Sequence, residues 1–479
     1  MKPLAFFFFF LLFFIPLGAF WNPADSLVLS GEILSYSADF RDDGSVYLAA
    51  LIDEGGTESV EFLRSEDHGL SWELLYSHAL SVFPQAVKFV TGNNYHDFHF
   101  LLFSDGGSGL YLLRFPGDFG SPFEEIQIYE GQVIENSIEL TKGWGPDFSL
   151  GCAWLNGTGQ DDTIFFALSG DYGENWELAS WRFGGIPDVI KLVEPHLSLA
   201  LDGANNFYLA LSGAHFFPVE DSFEIFIRRS EGGIGGSWST IRVTNNSVPD
   251  IYPQIAVGSD TAESKIWVAF SHFDDGNYDL YTAYSSGGYF EIDLLSAFQD
   301  LDEYPADMCS VEYVEQSYLN LVIIEEGDEQ NRVEWSYCYG NQPTLWASPE
   351  YVAEGAISLS DPLWPVLSFA PGSPEAGALV FYCDTEGIHV DAPWFPGVRE
   401  GEASAVRFPF LIENSEGVFR VTALRPGYYR LYLYDAAGRA VGRWNFERRL
   451  EVPLERRGAF FYRIEGGAEE WTGKVLIFE

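Results

Sequence analysis

Basic residues are scarce in this sequence: 26 Lys and Arg stand against 71 Asp and Glu in 479 residues. Residues 405–479 hold 12 basic and 10 acidic residues, so all of the acidic excess lies in residues 1–404. A surface of this charge repels nucleic acid and anionic membranes, so we expect no nucleic-acid partner and membrane contact only during export. We interpret the acids as a solubilising surface; the alternative is divalent-cation binding.

Methionine and cysteine are also rare. Two Met and few long Ala, Leu, Glu or Lys runs argue against a helical protein. Aromatic residues at 17% and 48 Gly favour strands and tight turns, so we predict an all-β chain. The four cysteines permit disulfides in an exported protein, but three pairings are open and buried free thiols are the alternative. They are Cys152, Cys309, Cys338 and Cys383.

A single long apolar run opens the chain. It follows Lys2, extends over residues 4–17 and ends at Gly18 and Ala19. This pattern predicts a secretory signal peptide, residues 1–19, and a secreted or outer-surface location. The alternative is an uncleaved anchor helix, which Pro16 would interrupt.

Residues 20–398 repeat a pattern of short strands and acidic or Gly turns. Units begin near residues 34, 82, 135, 193, 250, 303 and 361, and several open with a proline-led strand such as "YPQIAVGS". Stacking such units around an axis buries both faces of each sheet, so we predict a seven-bladed β-propeller, with six blades as the alternative. The seventh unit is short, and residues 25–34 can complete its sheet.

Two octapeptides, "SEDHGLSW" and "SGDYGENW", share one spacing of polar residues, Gly and Trp. Each lies between two strands, where Gly supports a positive φ, Asp accepts backbone hydrogen bonds and Trp packs into the core. The shared positions are Ser65, Asp67, Gly69, Ser71 and Trp72 in the first copy, and Ser169, Asp171, Gly173, Asn175 and Trp176 in the second.

The octapeptides resemble the Asp-box, or BNR repeat, S-x-D-x-G-x-[ST]-W, of sialidase-type propellers. The second copy departs at Asn175, and "SEGGIGGSW" (230–238) is a third, decayed copy. The resemblance implies a structural turn away from the catalytic face, not a metal or sugar ligand. It says little about activity, because function belongs to sites rather than folds.

Sialidases of that family bind the sugar carboxylate with three arginines. An anionic substrate requires such clustered, permanently charged groups. The first-arginine context Arg-Ile-Pro is missing, and Arg41, the nearest analogue, is flanked by two acids. We therefore expect the arginines to pair with surface acids. Those of the propeller are Arg41, Arg64, Arg114, Arg182, Arg228, Arg229, Arg242, Arg332 and Arg399.

One turn offers several oxygen atoms to a cation. Asp274, Asp275, Asn277 and Asp279 in "FDDGNYDLY" suit Ca²⁺ loosely, without the long loop and closing Glu of an EF-hand. A solvated turn is the alternative. We expect no other cofactor.

The composition changes after a linker at residues 399–404. Residues 405–479 predict a small Ig-like β-sandwich. Its segments "YLYDAAGRAVG", "GAFFYRI" and "GKVLIF" resemble the type A sorting domain of the type IX secretion system. That resemblance implies the secretion machinery as a partner. It assigns the addressing role to Asp435, Gly438, Arg439, Gly458 and Lys474.

Together these features predict an exported propeller that binds an extracellular glycan or protein. The alternative is a sialidase-like glycoside hydrolase. Arginines converging on the axis would favour a sialidase, and two carboxylates across a deep pocket would favour another glycosidase. Without such clusters, a binding scaffold is favoured.

Overall fold

A computed structural model shows strands and no helix in the residues that it describes: 20–21, most of 26–394 and the strands of 410–477. Within residues 26–394, the longest segments outside the description are 157–162, 183–190, 215–222, 259–264 and 370–377. The chain forms two compact units, Met1–Pro393 and Trp394–Glu479. No helical segment among the described residues has the length and apolar character to cross a bilayer. The predicted signal peptide, 1–19, lies outside the description.

The first unit is a seven-bladed propeller, as the repeats predict. Each blade is an antiparallel sheet of four strands, which we number along the chain. Before the first blade come β1 Phe20–Trp21 and β2 Ser26–Ser30. Blades 1 to 3 are β3 Glu32–Phe40, β4 Val46–Asp53, β5 Glu58–Ser65, β6 Glu73–Ala79; β7 Ala86–Thr91, β8 Phe98–Ser104, β9 Gly109–Pro116, β10 Glu124–Glu130; and β11 Glu139–Lys142, β12 Leu150–Asn156, β13 Thr163–Ser169, β14 Glu177–Arg182.

The remaining blades follow the same order. Blades 4 to 7 are β15 Lys191–Leu201, β16 Phe207–Ala214, β17 Phe223–Glu231, β18 Ser237–Arg242; β19 Asp250–Val257, β20 Ile266–Asp274, β21 Asn277–Ser285, β22 Glu291–Ser296; β23 Asp302–Tyr313, β24 Gln316–Glu326, β25 Asn331–Tyr339, β26 Glu350–Gly355; and β27 Val366–Phe369, β28 Ala378–Cys383, β29 Gly387–Asp391. The two-residue strand β30 Pro393–Trp394 follows.

The N-terminal strand closes the ring. β2 pairs antiparallel with β29, with Ser26 opposite Val390 and Ser30 opposite Gly387, and so supplies the fourth strand of blade 7. This closure agrees with the predicted role of residues 25–34. It also leaves the seventh sheet no narrower than the others.

Seven hydrophobic clusters hold the blades together, one at each junction between neighbouring blades, including that between blades 7 and 1. A middle strand is covered on both faces by adjacent blades, so it is a continuous apolar run: seven of the eight residues of β4 are buried. An outer strand such as β6 is covered on one side only and is largely exposed.

Polar side chains connect the innermost strands of blades 1 and 2. Ser35 Oγ, Ser37 Oγ and Asp39 Oδ2 accept hydrogen bonds from the backbone N–H groups of β7, at 3.1, 3.1 and 2.8 Å. The innermost strands are sheet edges, and these bonds satisfy donors that would otherwise be buried without a partner.

The second unit is a β-sandwich. Its strands are β31 Phe410–Ser415, β32 Val418–Ala423, β33 Tyr429–Asp435, β34 Ala440–Phe446, β35 Arg449–Pro453, β36 Gly458–Gly466 and β37 Glu469–Ile477. The sheets are β31-β32-β35 and β34-β33-β36-β37, and one cluster containing Phe419, Leu431 and Ile464 lies between them. This agrees with the predicted terminal sandwich.

Candidate functional site

The innermost strands of all seven blades surround an axial cavity of about 520 Å³. Several of these strands carry a proline near their start: Pro195, Pro253 and Pro305 lie within the first five residues of β15, β19 and β23, and Pro365 directly precedes β27. Proline is tolerated there because an edge strand has no ladder partner for its missing N–H. β15, β19 and β23 also contain a bulge near the proline, and a bulge changes the direction of the neighbouring side chains.

The residues beside these prolines bring aromatic rings to one end of the cavity. We call His196, Tyr252, Tyr304 and Trp364 the aromatic mouth. The Trp364 ring centroid lies 5.2 Å from those of His196 and Tyr252, and Tyr252 makes an edge-on contact with Tyr304 at 5.4 Å. All four side chains are half-buried. The mouth thus presents partly exposed rings from four successive blades.

Tyr252 has a backbone φ of 53°, an uncommon conformation for a residue other than glycine. It lies within the bulge of β19, between Ile251 and Gln254. Strained residues of this kind persist only where surrounding structure fixes them, and they concentrate at functional sites.

A hydrogen-bond network fixes the His196 ring. Gln254 Nε2 lies 3.0 Å from His196 Nε2 and 2.9 Å from the carbonyl of Ala306, while Gln254 Oε1 accepts a bond from Ser198. Burial lowers the pKa of His196 to about 3. The ring is therefore neutral at physiological pH and accepts the Gln254 bond through Nε2.

Two ion pairs and one further carboxyl group lie along the cavity. Lys88 pairs with Glu139 at 2.8 Å, and Lys142 pairs with Asp39 at 2.7 Å. Asp307 Oδ2 accepts the Leu367 N–H at 2.9 Å. Burial raises the pKa of Asp307.

A charged crevice lies between blades 4 and 5. Glu224, fully buried, pairs with Arg242 at 2.7 Å. Asp250, also fully buried, holds His272 Nδ1 at 2.6 Å and accepts a bond from Asn246. The hydrogen bond to Asp250 raises the pKa of His272. Arg242 and His272 are thus both held by buried carboxylates.

A second crevice lies between blades 5 and 6. Glu303, Glu325 and Glu334 are buried there, and Arg332 lies 3.7 Å from Glu325. Glu325 alternates with Leu321 and Ile323, which pack against blade 5, so the side chains share that face. Burial, followed by repulsion from Glu325 and Glu303, raises the pKa of Glu334 to about 7.

The octapeptide turns lie at the other end of the propeller. They join the third and fourth strands of blades 1 and 3, which in an antiparallel blade is the end where the innermost strand finishes. In the first turn, Asp67 accepts bonds from Ser65 Oγ, Ser71 N and Ser71 Oγ at 2.9, 2.9 and 2.6 Å. Trp72 Nε1 donates to the carbonyl of Gly69.

The second turn repeats this network. Asn175 donates its backbone N–H and its side-chain amide to Asp171 at 2.9 and 2.6 Å, and Trp176 donates to Gly173. Asn175 therefore replaces Ser or Thr without loss of a bond. In the decayed copy Trp238 bonds Ile234 instead.

The structure separates the arginines. Six pair with carboxylates: Arg41, Arg64, Arg114, Arg229, Arg242 and Arg332. Arg228 lies over the Trp181 ring at 4.1 Å, and Arg182 is exposed. Arg399 lies outside the described residues. The described residues that line the cavity include Lys88 and Lys142 but no arginine.

The predicted Ca²⁺ turn is partly described. Asn277 Nδ2 donates to Asp279 Oδ1 at 2.9 Å, and Asp274 is opposite Asn277 in the β20–β21 hairpin. Asp275 lies outside the described residues. Among those described, no group of three or more His, Cys, Asp or Glu side chains is arranged to hold a metal. A cation site here stays a prediction.

The remaining predicted residues are placed as follows. Cys152, Cys309, Cys338 and Cys383 are free thiols. Asp435 ends β33, Gly458 begins β36 and Lys474 lies in β37, opposite Phe461. Gly438 and Arg439 lie outside the described residues.

Sequence reasoning did not find the aromatic mouth. Its signal was present in the dipeptides Tyr252-Pro253, Tyr304-Pro305 and Trp364-Pro365 at the start of successive units.

No protein-family model and no curated relative matches the sequence. Among solved structures, an ulvan lyase from a new family of polysaccharide lyases, bound to -[GlcA(1-4)Rha3S]-, matches with a TM-score of 0.52 and 10% identity over 77% of this chain and 94% of that one. The leech intramolecular trans-sialidase matches at 0.39 and 10% over 76% and 68%. The Penicillium chrysogenum α-L-arabinanase matches at 0.40 and 10% over 77% and 97%.

These neighbours act on glycans. At 10% identity, the lyase supports the propeller fold alone.

Proposed function

We propose that this protein is an exported glycan-binding propeller whose ligand lies at the aromatic mouth. The main support is the convergence of His196, Tyr252, Tyr304 and Trp364 at one end of the axial cavity. Aromatic faces pack against the C–H surface of sugar rings, and a concave site with a few fixed polar groups suits a small ligand. The hydroxyls of Tyr252 and Tyr304 supply such groups.

A binding test compares two variants of the full chain. Trp364→Ala should weaken binding of a glycan identified on an array by about tenfold, or about 1.4 kcal/mol, because it removes a ring face. Tyr289→Ala is the matched control, since Tyr289 is 91% exposed and lies outside the mouth. Equal losses in both variants, or no glycan bound at all, would contradict the proposal.

Export and surface delivery belong to the same proposal. The apolar run at residues 4–17 supports a signal peptide, and the terminal motifs support a type IX sorting domain with the secretion machinery as partner. Deleting residues 405–479 should leave the propeller soluble but trapped in the periplasm. Release of the truncated protein to the medium would contradict the sorting role.

The alternative is a glycoside hydrolase. Asp307, with a raised pKa, interacts electrostatically with Asp39 in the cavity, and hydrolases use one protonated and one ionised carboxyl. Six arginines already pair with carboxylates, so they do not form a site for the carboxylate of a sialic acid. A sialidase is therefore the weaker form of this alternative. Turnover of fluorogenic glycosides that is abolished by Asp307→Asn would favour hydrolysis, and turnover of a sialoside would favour a sialidase.

A further inference from the structure

We propose, resting on the function proposed above, that the aromatic mouth selects uncharged glycan chains and discriminates against uronic, sulfated and sialylated ones. Carboxylates surround the rings, and the basic groups nearby are already paired.

Carboxylates stand beside the rings themselves. Asp302 and Glu326 are opposite one another in β23 and β24, next to Tyr304. Burial, together with these two carboxylates, raises the pKa of Tyr304. Asp302 is held in place because it accepts the backbone N–H of Tyr278 at 2.8 Å. A ligand carboxylate or sulfate on the Tyr304 ring would therefore meet fixed negative charge.

The described basic groups around the mouth and along the cavity are already paired with carboxylates. Arg242 pairs with Glu224, His272 with Asp250 and Arg332 with Glu325 and Glu354. Inside the cavity, Lys88 pairs with Glu139 and Lys142 with Asp39. Recruiting one of these groups to an anionic ligand would leave a buried or half-buried carboxylate without its partner, which is costly. These groups therefore do not supply the fork that anionic sugars require.

The hydrogen-bonding groups of the mouth itself are neutral. His196 accepts a bond from the Gln254 amide and does not carry a proton at physiological pH. The hydroxyls of Tyr252 and Tyr304 match sugar hydroxyls, which both donate and accept. Ring faces with neutral hydrogen-bonding groups inside an acidic rim suit an uncharged polysaccharide.

The test uses matched pairs of hexasaccharides that differ only in a hydroxymethyl group against a carboxylate at C6. β-1,4-Mannohexaose is compared with β-1,4-mannuronate hexamer, and cellohexaose with the corresponding glucuronate hexamer. An array that also carries sialylated and sulfated glycans precedes calorimetry on the full chain. In any pair that binds, the uncharged member should bind at least about tenfold more tightly than the charged one at low salt. Added salt should reduce this ratio of affinities, because it screens the repulsion of the charged member.

A charge variant isolates the rim. Glu326→Lys should narrow the preference for the uncharged sugar over its uronate by several-fold, because it replaces an exposed rim acid with a base. Glu130→Lys, at the exposed end of β10, makes the same charge change away from the mouth and should leave the ratio unaltered.

The outcomes separate the two proposals. Preference for a uronate or for a sulfated or sialylated glycan would overturn charge selection and leave glycan binding intact. An unchanged ratio in Glu326→Lys would also overturn it. If no glycan on the array binds, the proposal of glycan binding fails, and the proposed selectivity fails with it.

Discussion

The pH dependence of stability tests whether Glu334 is protonated among the buried glutamates between blades 5 and 6. Its side chain is 8% exposed, shares the crevice with Glu325 and Glu303, and has a pKa raised to about 7. Between the unfolded value of 4.5 and about 7, the folded state holds a proton that the unfolded state has lost. The stabilisation from protonated Glu334 is therefore complete below pH 4.5 and is lost as the pH rises through 7.

Glu334→Gln removes this titration and retains the shape of the side chain. The pKa difference corresponds to at most about 3 kcal/mol, and partial access of water to the crevice should reduce the effect to about 1–2 kcal/mol. The variant should thus differ least from the parent at pH 5 and exceed it most in stability at pH 8, with a rise in Tm of about 1–2 °C.

The assay is thermal unfolding of the full chain at pH 5, 6, 7 and 8. Glu130→Gln, an exposed change in β10, controls for the loss of one negative charge from a strongly acidic protein. If Glu334→Gln loses stability at pH 8, or shifts Tm equally at every pH, then the carboxyl is not held in its protonated form and the reasoning fails.

Three further predictions concern turns and one buried pair. Asp67→Ala should lower the free energy of unfolding, measured with denaturant, by about 1–3 kcal/mol, because three hydrogen bonds are lost. Glycan affinity should stay constant, and weakened binding would contradict the assignment of this turn to the end of the propeller opposite the aromatic mouth. Gly173→Ala should destabilise the protein more than Gly233→Ala, although both glycines have a positive φ. A Cβ at position 173 would lie 2.6 Å from a neighbouring leucine carbon, whereas a Cβ at position 233 would meet nothing within 4 Å. Equal losses of Tm would refute this prediction. His272→Gln should lower the free energy of unfolding most below pH 6.5 and less as pH rises through the raised pKa set by Asp250; a pH-independent loss would exclude a charged pair.

The blades could be predicted because each one repeats a local pattern. The predicted unit starts near residues 34, 250 and 303 lie within two residues of β3, β19 and β23. The completion of the short seventh unit by the N-terminal segment also followed from counting strands, since an unpaired sheet edge would otherwise remain.

The aromatic mouth could not be predicted in the same way. Tyr252, Tyr304 and Trp364 are about fifty to sixty residues apart in sequence. Their aromatic rings meet because the blades are arranged around a common axis and because bulges in β19 and β23 redirect the side chains. Period-two reasoning assigns each strand residue to a face, but a bulge shifts that assignment by one residue. The proline dipeptides marked the positions without giving the direction of the rings.

Asn175 shows how geometry refines a motif. The sequence departs from the Ser or Thr of the resembling family at this position, yet the amide reaches Asp171 at 2.6 Å, as the Ser71 hydroxyl reaches Asp67. The motif records the residue types that are usual at this position, whereas the turn itself requires only a short side chain that donates a hydrogen bond to the Asp.

The most direct test of glycan binding is a crystal structure of the full chain with the tightest-binding oligosaccharide from the array. The sugar rings should stack on Trp364 and Tyr252 at the end of the axial cavity, with sugar hydroxyls near the hydroxyl of Tyr304. An oligosaccharide seated on the outer strands or at the octapeptide turns, with the mouth unoccupied, would contradict the account.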